Sequence, residues 1–341
     1  MRIGVIASIA HRLPPTDYGP WEQIAATLTE GFVARGHDVT LFATRNSSTS
    51  AHLHGTAAGG YEEDSAIDAK PNEGLHNAAV FERAADFDII ANHFDFMPLT
   101  YSRLVRTPVV TTVHGFSSEQ IVPVYRAYDD IAHYVAISDS DRHPDLHYAA
   151  TIHHGIPLPD FDFCPDTGDY LLFLGRIHPH KGTALAIEVA RRVGLPLVIA
   201  GIIQDETYFR EQVLPAVDGV QVRFVGPVGP TERNRLLGGA RALLHLISFA
   251  EPFGLSVVES LATGTPVIAT RLGSMPELLI DGVSGYLVAD VDEAVRAARD
   301  VNALSRADCR AQAVSRFGSD RMIDDYLRLF GRILDGEISA H

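Results

Sequence analysis

The sequence predicts two doubly wound α/β domains, each a parallel sheet covered by helices on both faces. Three observations lead there. Near-continuous apolar, β-rich runs alternate with helix-period segments over almost the whole chain, which is the pattern of strands buried on both faces. The series runs twice, interrupted once by the Pro/Asp-rich piece Gly155-Ile156-Pro157-Leu158-Pro159-Asp160. The length of 341 residues also exceeds what one hydrophobic core usually serves.

Taken in order, the first strand is expected over 3–8, followed by a polar loop and a helix over 21–35 with Trp21, Ile24, Leu28 and Phe32 on one face. Gly36-His37-Asp38 closes that helix and a strand follows over 39–44. Residues 46–74 are small and polar, with Gly59-Gly60, and read as an irregular connection. Strands resume over 87–91, 108–113, 134–137 and 150–153. The second series starts after Asp166-Thr167-Gly168, with strands over 170–174, 196–200, 221–225, 241–246 and 266–270 and an apolar run over 284–288. Helices are expected over 183–193, 207–217, 231–238 and 275–280, and the remainder, 291–334, reads as helical. Met322, Tyr326, Leu327, Phe330 and Leu334 line up as a single apolar stripe near its end, so the closing helix packs on a surface. Ligands of such sheets bind outside the carboxyl ends of the strands, here in the cleft between the domains.

Composition narrows the function. No apolar run approaches the roughly 18 residues of a membrane span. The start, Met1-Arg2-Ile3-Gly4-Val5-Ile6-Ala7, has no leader pattern and reads as a strand. Two cysteines, Cys164 and Cys309, suit a reducing cytoplasm. The net charge of −15 argues against nucleic acid or anionic membrane as main partner.

The stretch Ser248-Phe249-Ala250-Glu251-Pro252-Phe253-Gly254-Leu255-Ser256-Val257-Val258-Glu259 carries two carboxylates eight positions apart. Pro252 suits the first turn of a helix, which would set Glu251 at its mouth and Glu259 about 12 Å further along the axis. First-turn amides near Phe253 and Gly254 would then favour an anion between two hydroxyl acceptors, the order of groups in a nucleotide sugar. A solvated Glu followed by a helix-start Glu is the plainer alternative. Upstream, Gly175-Arg176-Ile177-His178-Pro179-His180-Lys181-Gly182 joins a strand to a helix. Arg176 and Lys181 suit phosphate oxygens, although Walker spacing is absent and an ordinary turn with exposed bases would look similar.

Arg176 and Lys181, followed by Glu251 and Glu259 with seven residues between them, resemble the retaining nucleotide-sugar glycosyltransferases of glycosyltransferase family 4. The resemblance covers nearly the whole chain. It includes Pro14-Pro15-Thr16-Asp17-Tyr18-Gly19, Gly36-His37-Asp38-Val39, Thr112-Val113-His114-Gly115, Val135-Ala136-Ile137-Ser138, His154-Gly155-Ile156 and Gly264-Thr265-Pro266-Val267-Ile268-Ala269. It implies the GT-B fold: a Rossmann-like acceptor-side domain over 1–160, a Rossmann-like donor domain over 161–318, and a closing helix over 319–341 that packs back on the first domain.

The resemblance also implies roles. Glu251 would contact donor sugar hydroxyls, Phe253, Gly254 and Leu255 would offer amides to the diphosphate or sugar, and Glu259 would accept from the ribose. Arg176 and Lys181 would neutralise the departing diphosphate, His114 would lie near the reacting sugar, and Gly19 would approach the phosphates. The catalytic set is therefore His114, Glu251, Arg176 and Lys181. No metal or other cofactor is expected, because cations and a helix N-terminus take the metal's place. Many relatives carry a second glycine where this chain has Pro20, which removes an amide.

Such an enzyme would move a hexosyl group from a nucleotide-diphosphate sugar, UDP- or GDP-linked, to an acceptor hydroxyl with same-face retention. A glycosidase pair would need its carboxyl groups about 5–9 Å apart. A retaining disaccharide phosphorylase and a non-catalytic nucleotide-sugar sensor are the alternatives on the same scaffold. Trp21, His93 and Ser138 are candidates for the acceptor side, against plainer roles as core anchor, loop residue and helix cap. His178 with His180 and His153 with His154 invite a metal reading, but no Cys partner or His-Glu-x-x-His pattern accompanies them. The expected first helix carries Glu22 and Glu30 with Arg35 as its sole cation, which favours a soluble saccharide or small-molecule acceptor.

Overall fold

The computed structural model describes residues 1–16, 19–116 and 118–339. They form two compact units, Met1–Gly155 with Ser319–His341, and Ile156–Gly318. Asp17 and Tyr18, which belong to the expected phosphate-approaching loop, lie outside the described residues.

In the first unit the strands are β1 (Arg2–Ala7), β2 (Asp38–Ala43), β3 (His52–Gly55), β4 (Ile89–His93), β5 (Val109–Val113), β6 (His133–Ala136) and β7 (Tyr148–Thr151). All are parallel, in the order β3-β2-β1-β4-β5-β6-β7. Helix α1 (Pro20–Ala34) starts on Pro20, whose fixed φ is already helical, with Gly19 as its cap at φ 153°. It buries Ile24, Ala25, Leu28 and Phe32. Helices α2 (Ala69–Phe81) and α3 (Val122–Ala127) follow in the same unit. Ile6, Phe42, Ile90 and Phe94 centre one apolar cluster; Leu99, Val113, Tyr125 and Tyr134 centre another.

The stretch 46–74 is not irregular throughout. It contains β3 and the opening of α2. Polar composition hid both. β3 is an edge strand whose side chains are exposed or half-buried. α2 opens on Asp68, whose carboxylate accepts from the Lys70 amide at 3.1 Å, with Pro71 tolerated in the first turn.

The second unit contains β8 (Tyr170–Leu174), β9 (Leu197–Ala200), β10 (Val222–Gly226), β11 (Ala240–His245), β12 (Val267–Thr270) and β13 (Gly285–Val288). They pair in parallel in the order β10-β9-β8-β11-β12-β13. Its helices are α4 (Thr183–Val193), α5 (Glu206–Tyr208), α6 (Pro230–Gly238), α7 (Leu255–Ala262), α8 (Met275–Leu278), α9 (Val291–Asp300) and α10 (Arg306–Arg316). The helix expected over 207–217 is broken into α5, a wide turn Phe209–Val213 and a tight turn Leu214–Ala216, because Pro215 has no amide to continue a ladder. Arg306 straps the unit from inside. Its guanidinium donates to the carbonyls of Cys164 (2.6 Å), Gly238 (2.7 Å) and Ala240 (2.9 Å) and to the Thr265 hydroxyl (2.6 Å).

The chain then returns to the first unit as α11 (Ser319–Leu334). Its buried stripe is Met322, Ile323, Tyr326, Leu329, Phe330 and Ile333. Leu327 and Leu334 fall outside it, and Leu334 is 40% exposed. A Cβ at Gly31 of α1 would stand 2.2 Å from the Ile323 side chain, so glycine permits the close approach of the two helices. Tyr326 shares a hydrogen bond with Thr112 at 2.7 Å, and Arg35 pairs with Asp324 at 2.6 Å and Asp320 at 3.0 Å.

Candidate active site

In a doubly wound sheet the chain leaves neighbouring strands in opposite directions at one point, and a crevice opens there at the carboxyl ends. In the second unit that point lies between β8 and β11. The turn after β8 delivers Lys181, β11 ends on His245, and the following loop delivers Glu251. Lys181 Nζ lies 2.6 Å from Glu251 Oε1, and His245 Nε2 lies 3.0 Å from Glu251 Oε2. Both oxygens of one half-buried carboxylate thus have a partner. Burial alone would raise the Glu251 carboxyl, but His245 and then Lys181 outweigh it and hold it down at about 2. Lys181 Nζ also stands 5.1 Å over the Phe249 ring. The Ser274 amide donates to the Glu251 carbonyl at 3.0 Å. A Cβ at Gly273 (φ 55°) would sit 2.4 Å from the Glu251 nitrogen, so only glycine lets that loop close on Glu251.

The helix expected from Pro252 begins later. α7 starts at Leu255, with Gly254 as its cap at φ 103°. Phe253 is 3% exposed and its carbonyl accepts from the Ser274 hydroxyl, so Pro252 and Phe253 belong to a loop tied towards α8. Glu251 is therefore not at the helix mouth, and the axial spacing worked out for the two carboxylates does not apply. Glu259 lies in the second turn of α7, 8% exposed, with Arg233 of α6 at 3.4 Å. Burial pushes its carboxyl up, and Arg233 only partly offsets this. Arg176 is drawn elsewhere: its Nη1 donates to Gln204 Oε1 at 2.7 Å, beyond the end of β9.

In the first unit the carboxyl ends of β4 to β7 carry a second group. His93 ends β4, His114 follows β5, Ser138 follows β6 and His154 follows β7. His93 Nδ1 lies 3.1 Å from His114 Nε2, and His114 Nδ1 lies 3.3 Å from His154 Nε2. Trp21 stacks on His114 with ring centroids 5.3 Å apart and planes 21° from parallel. All three imidazoles are buried. Burial, then the other two rings, push His114 well below the ordinary histidine value. Burial pushes His93 and His154 down to about 3. Ser138 is also fully buried, but the chain turns after it and does not enter the expected helix. Its hydroxyl meets that of Ser140 at 3.0 Å and accepts from the Asp141 amide at 3.2 Å, which makes it a turn residue. Among the described residues no group of His, Cys, Asp and Glu is arranged to hold a metal ion, the three histidines included. Among the same residues no helix is long and apolar enough to cross a membrane.

The structure thus gathers Lys181 with Glu251, and Trp21 and His93 with His114. Arg176 and Glu259 are engaged by Gln204 and Arg233. Sequence reasoning misses His245 and Arg233 as partners of the two glutamates, and it marks His154 in a family-like junction and in a His pair but not as a partner of His114. The one available signal is His245, a polar residue ending an otherwise apolar strand.

Residues 162–318 match the family described as Glycosyl transferases group 1, and residues 22–158 match Glycosyltransferase Family 4. The phosphatidyl-myo-inositol mannosyltransferase of Mycobacterium leprae (strain TN) is 26% identical over 332 residues, covering 87% of this chain and 86% of its own. The D-inositol 3-phosphate glycosyltransferase of Mycolicibacterium smegmatis is 32% identical, covering 52% of this chain but only 43% of its own length. Among solved structures, AviGT4, a glycosyltransferase involved in avilamycin A biosynthesis, has a TM-score of 0.75 at 23% identity, with 98% of each chain covered. Anabaena HepE in complex with UDP and glucose has a TM-score of 0.75 at 17% identity, covering 97% of this chain and 99% of its own.

With both sheets doubly wound and parallel, these likenesses define the fold as GT-B and the class of protein as a glycosyltransferase. Within that class, the chain belongs to glycosyltransferase family 4.

Proposed function

We propose that the chain is a retaining hexosyltransferase that takes its sugar from a nucleotide-diphosphate donor and passes it to a hydroxyl of a saccharide or small-molecule acceptor without a metal. The observation that carries this reading is Glu251, a half-buried carboxylate held charged between Lys181 and His245 at the switch point of the second unit. A charged carboxylate accepts strongly from sugar hydroxyls. Lys181 beside it supplies positive charge where a departing diphosphate gathers negative charge, which is what the transition state needs.

In this reading Arg176 is the second cation, exchanging Gln204 for phosphate oxygens. Glu259 grips the ribose, and the amides of Phe253, Gly254 and Leu255 serve the diphosphate or the sugar. His114 lies near the reacting sugar, and Gly19 approaches the phosphates. Trp21 and His93 belong to the acceptor side. UDP is the leading nucleotide because HepE, of like fold, is solved with UDP and glucose; GDP is the second choice. A soluble acceptor is favoured because Arg35, the one cation at the end of α1, is already paired with Asp320 and Asp324, and Glu30 of the same helix is exposed.

The test is release of nucleoside diphosphate with and without EDTA, with the product anomer read by NMR. Equal rates under both conditions and retention of the donor's configuration are expected. An inverted product would refute same-face transfer, and turnover with phosphate and no nucleotide would refute the choice of donor.

A further inference from the structure

We propose that His93, His114 and His154 form one tautomer-locked chain, in which His93 and His154 are positioning residues for His114. Each contact, at 3.1 and 3.3 Å, needs one N–H and one lone pair. A neutral imidazole has one of each. His114 uses both nitrogens, so it donates to one neighbour and accepts from the other. If it donates from Nδ1 to His154, His93 must donate to it from Nδ1 and His154 must carry its proton on Nδ1. If it donates from Nε2 to His93, all three protons sit on Nε2. No mixed set of neutral rings satisfies both contacts.

A charged His114 could donate both ways, but its surroundings oppose charge. It is 7% exposed, one face lies on Trp21, and its edges meet two further imidazoles. Beside His93 stands the Tyr326 ring, whose hydroxyl is held by Thr112. Besides His114, His93, Arg321 and His153 act on His154, and each of these three disfavours a further positive charge there. Arg321 is fixed there by donating to the His153 carbonyl at 2.6 Å.

The consequence concerns ligand contact. A group that hydrogen-bonds His114 must displace one neighbouring ring, and the ring that remains decides whether that group meets an N–H or a lone pair. This functional half rests on the proposed place of His114 near the reacting sugar. The tautomer lock does not.

Long-range 15N–1H NMR of the imidazoles in the full chain tests the lock, with the three rings assigned through single substitutions. The same tautomer in all three rings, without titration between pH 8 and about 5, is expected. Two different tautomers, or a charged ring at neutral pH, would overturn the chain. Kinetics of His154→Leu and His154→Asn test the positioning role. In His154→Leu one repelling imidazole is gone, so the acidic limb of kcat/KM moves to higher pH. There kcat falls about tenfold while donor KM holds. His154→Asn, which can both donate and accept, restores most of kcat. Equal losses in both variants with no movement of the acidic limb would overturn the positioning role. A uniform tautomer with unaltered kinetics would overturn the positioning role of His154 and leave the lock standing.

Discussion

Acidification is the perturbation that the three buried histidines make most quantitative. Their folded values lie below the ordinary one, at about 3 for His93 and His154 and well down for His114. The unfolded chain therefore binds more protons once pH drops below about 6.5. The stability they carry is fully present above that value and is lost as pH falls towards 3. At pH 5.5 the neutral rings of His93 and His154 each cost about 1.4 kcal/mol relative to pH 7.5, so the two cost about 3 kcal/mol, and His114 acts in the same direction. That is a large share of the 5–15 kcal/mol typical of a domain. His76, held at about 4 by burial, acts in the same direction. The assay is urea unfolding followed by the fluorescence of Trp21, the chain's single tryptophan, which stacks on His114 and so reports the first unit. Glu251 does not confound it. Its depressed value gives stability that is lost only between about 4.5 and 2, and it belongs to the other unit. A midpoint equal at pH 7.5 and 5.5, or higher at pH 5.5, would refute the reasoning.

Substitutions at three positions probe the second unit. His245→Leu leaves Glu251 Oε2 without its partner, so donor kcat/KM should fall about tenfold, and His245→Gln, which can still donate, should recover most of it. Gly273→Ala should cost about 1–2 kcal/mol in a thermal or urea melt and weaken donor binding, since its Cβ meets the Glu251 backbone and φ is 55°. Arg306→Met strands the carbonyls of Cys164, Gly238 and Ala240, so about 3 kcal/mol should be lost from the second unit. The Trp21 signal of the first unit should be little changed, and an equal loss in both units would contradict that assignment.

The parallel sheets are legible in the sequence because strands buried on both faces need long apolar runs, and such runs survive any detail of packing. The Arg176, Lys181, Glu251 and Glu259 set is legible because residue type and order carry its chemistry. Pairing across the fold is not. Lys181 reaches Glu251 from the turn after the neighbouring strand β8, and His154 reaches His114 from two strands away, so neither pairing follows from local spacing. The start of α7 is misplaced by sequence reasoning because Pro252 suits a first turn equally well in isolation. The buried Phe253 and the Ser274 hydroxyl decide otherwise. Helix α2 escapes notice because its polar opening depends on an aspartate cap more than on an apolar stripe.

The most direct measurement is a thermal-shift series with UDP, GDP, ADP and dTDP and their sugars, on the natural chain and on Lys181→Ala. One nucleotide and its sugar should raise the melting temperature, and Lys181→Ala should abolish most of that shift. If no nucleotide shifts it, or if the shift survives in Lys181→Ala undiminished, the Lys181–Glu251 site does not hold a nucleotide-diphosphate donor.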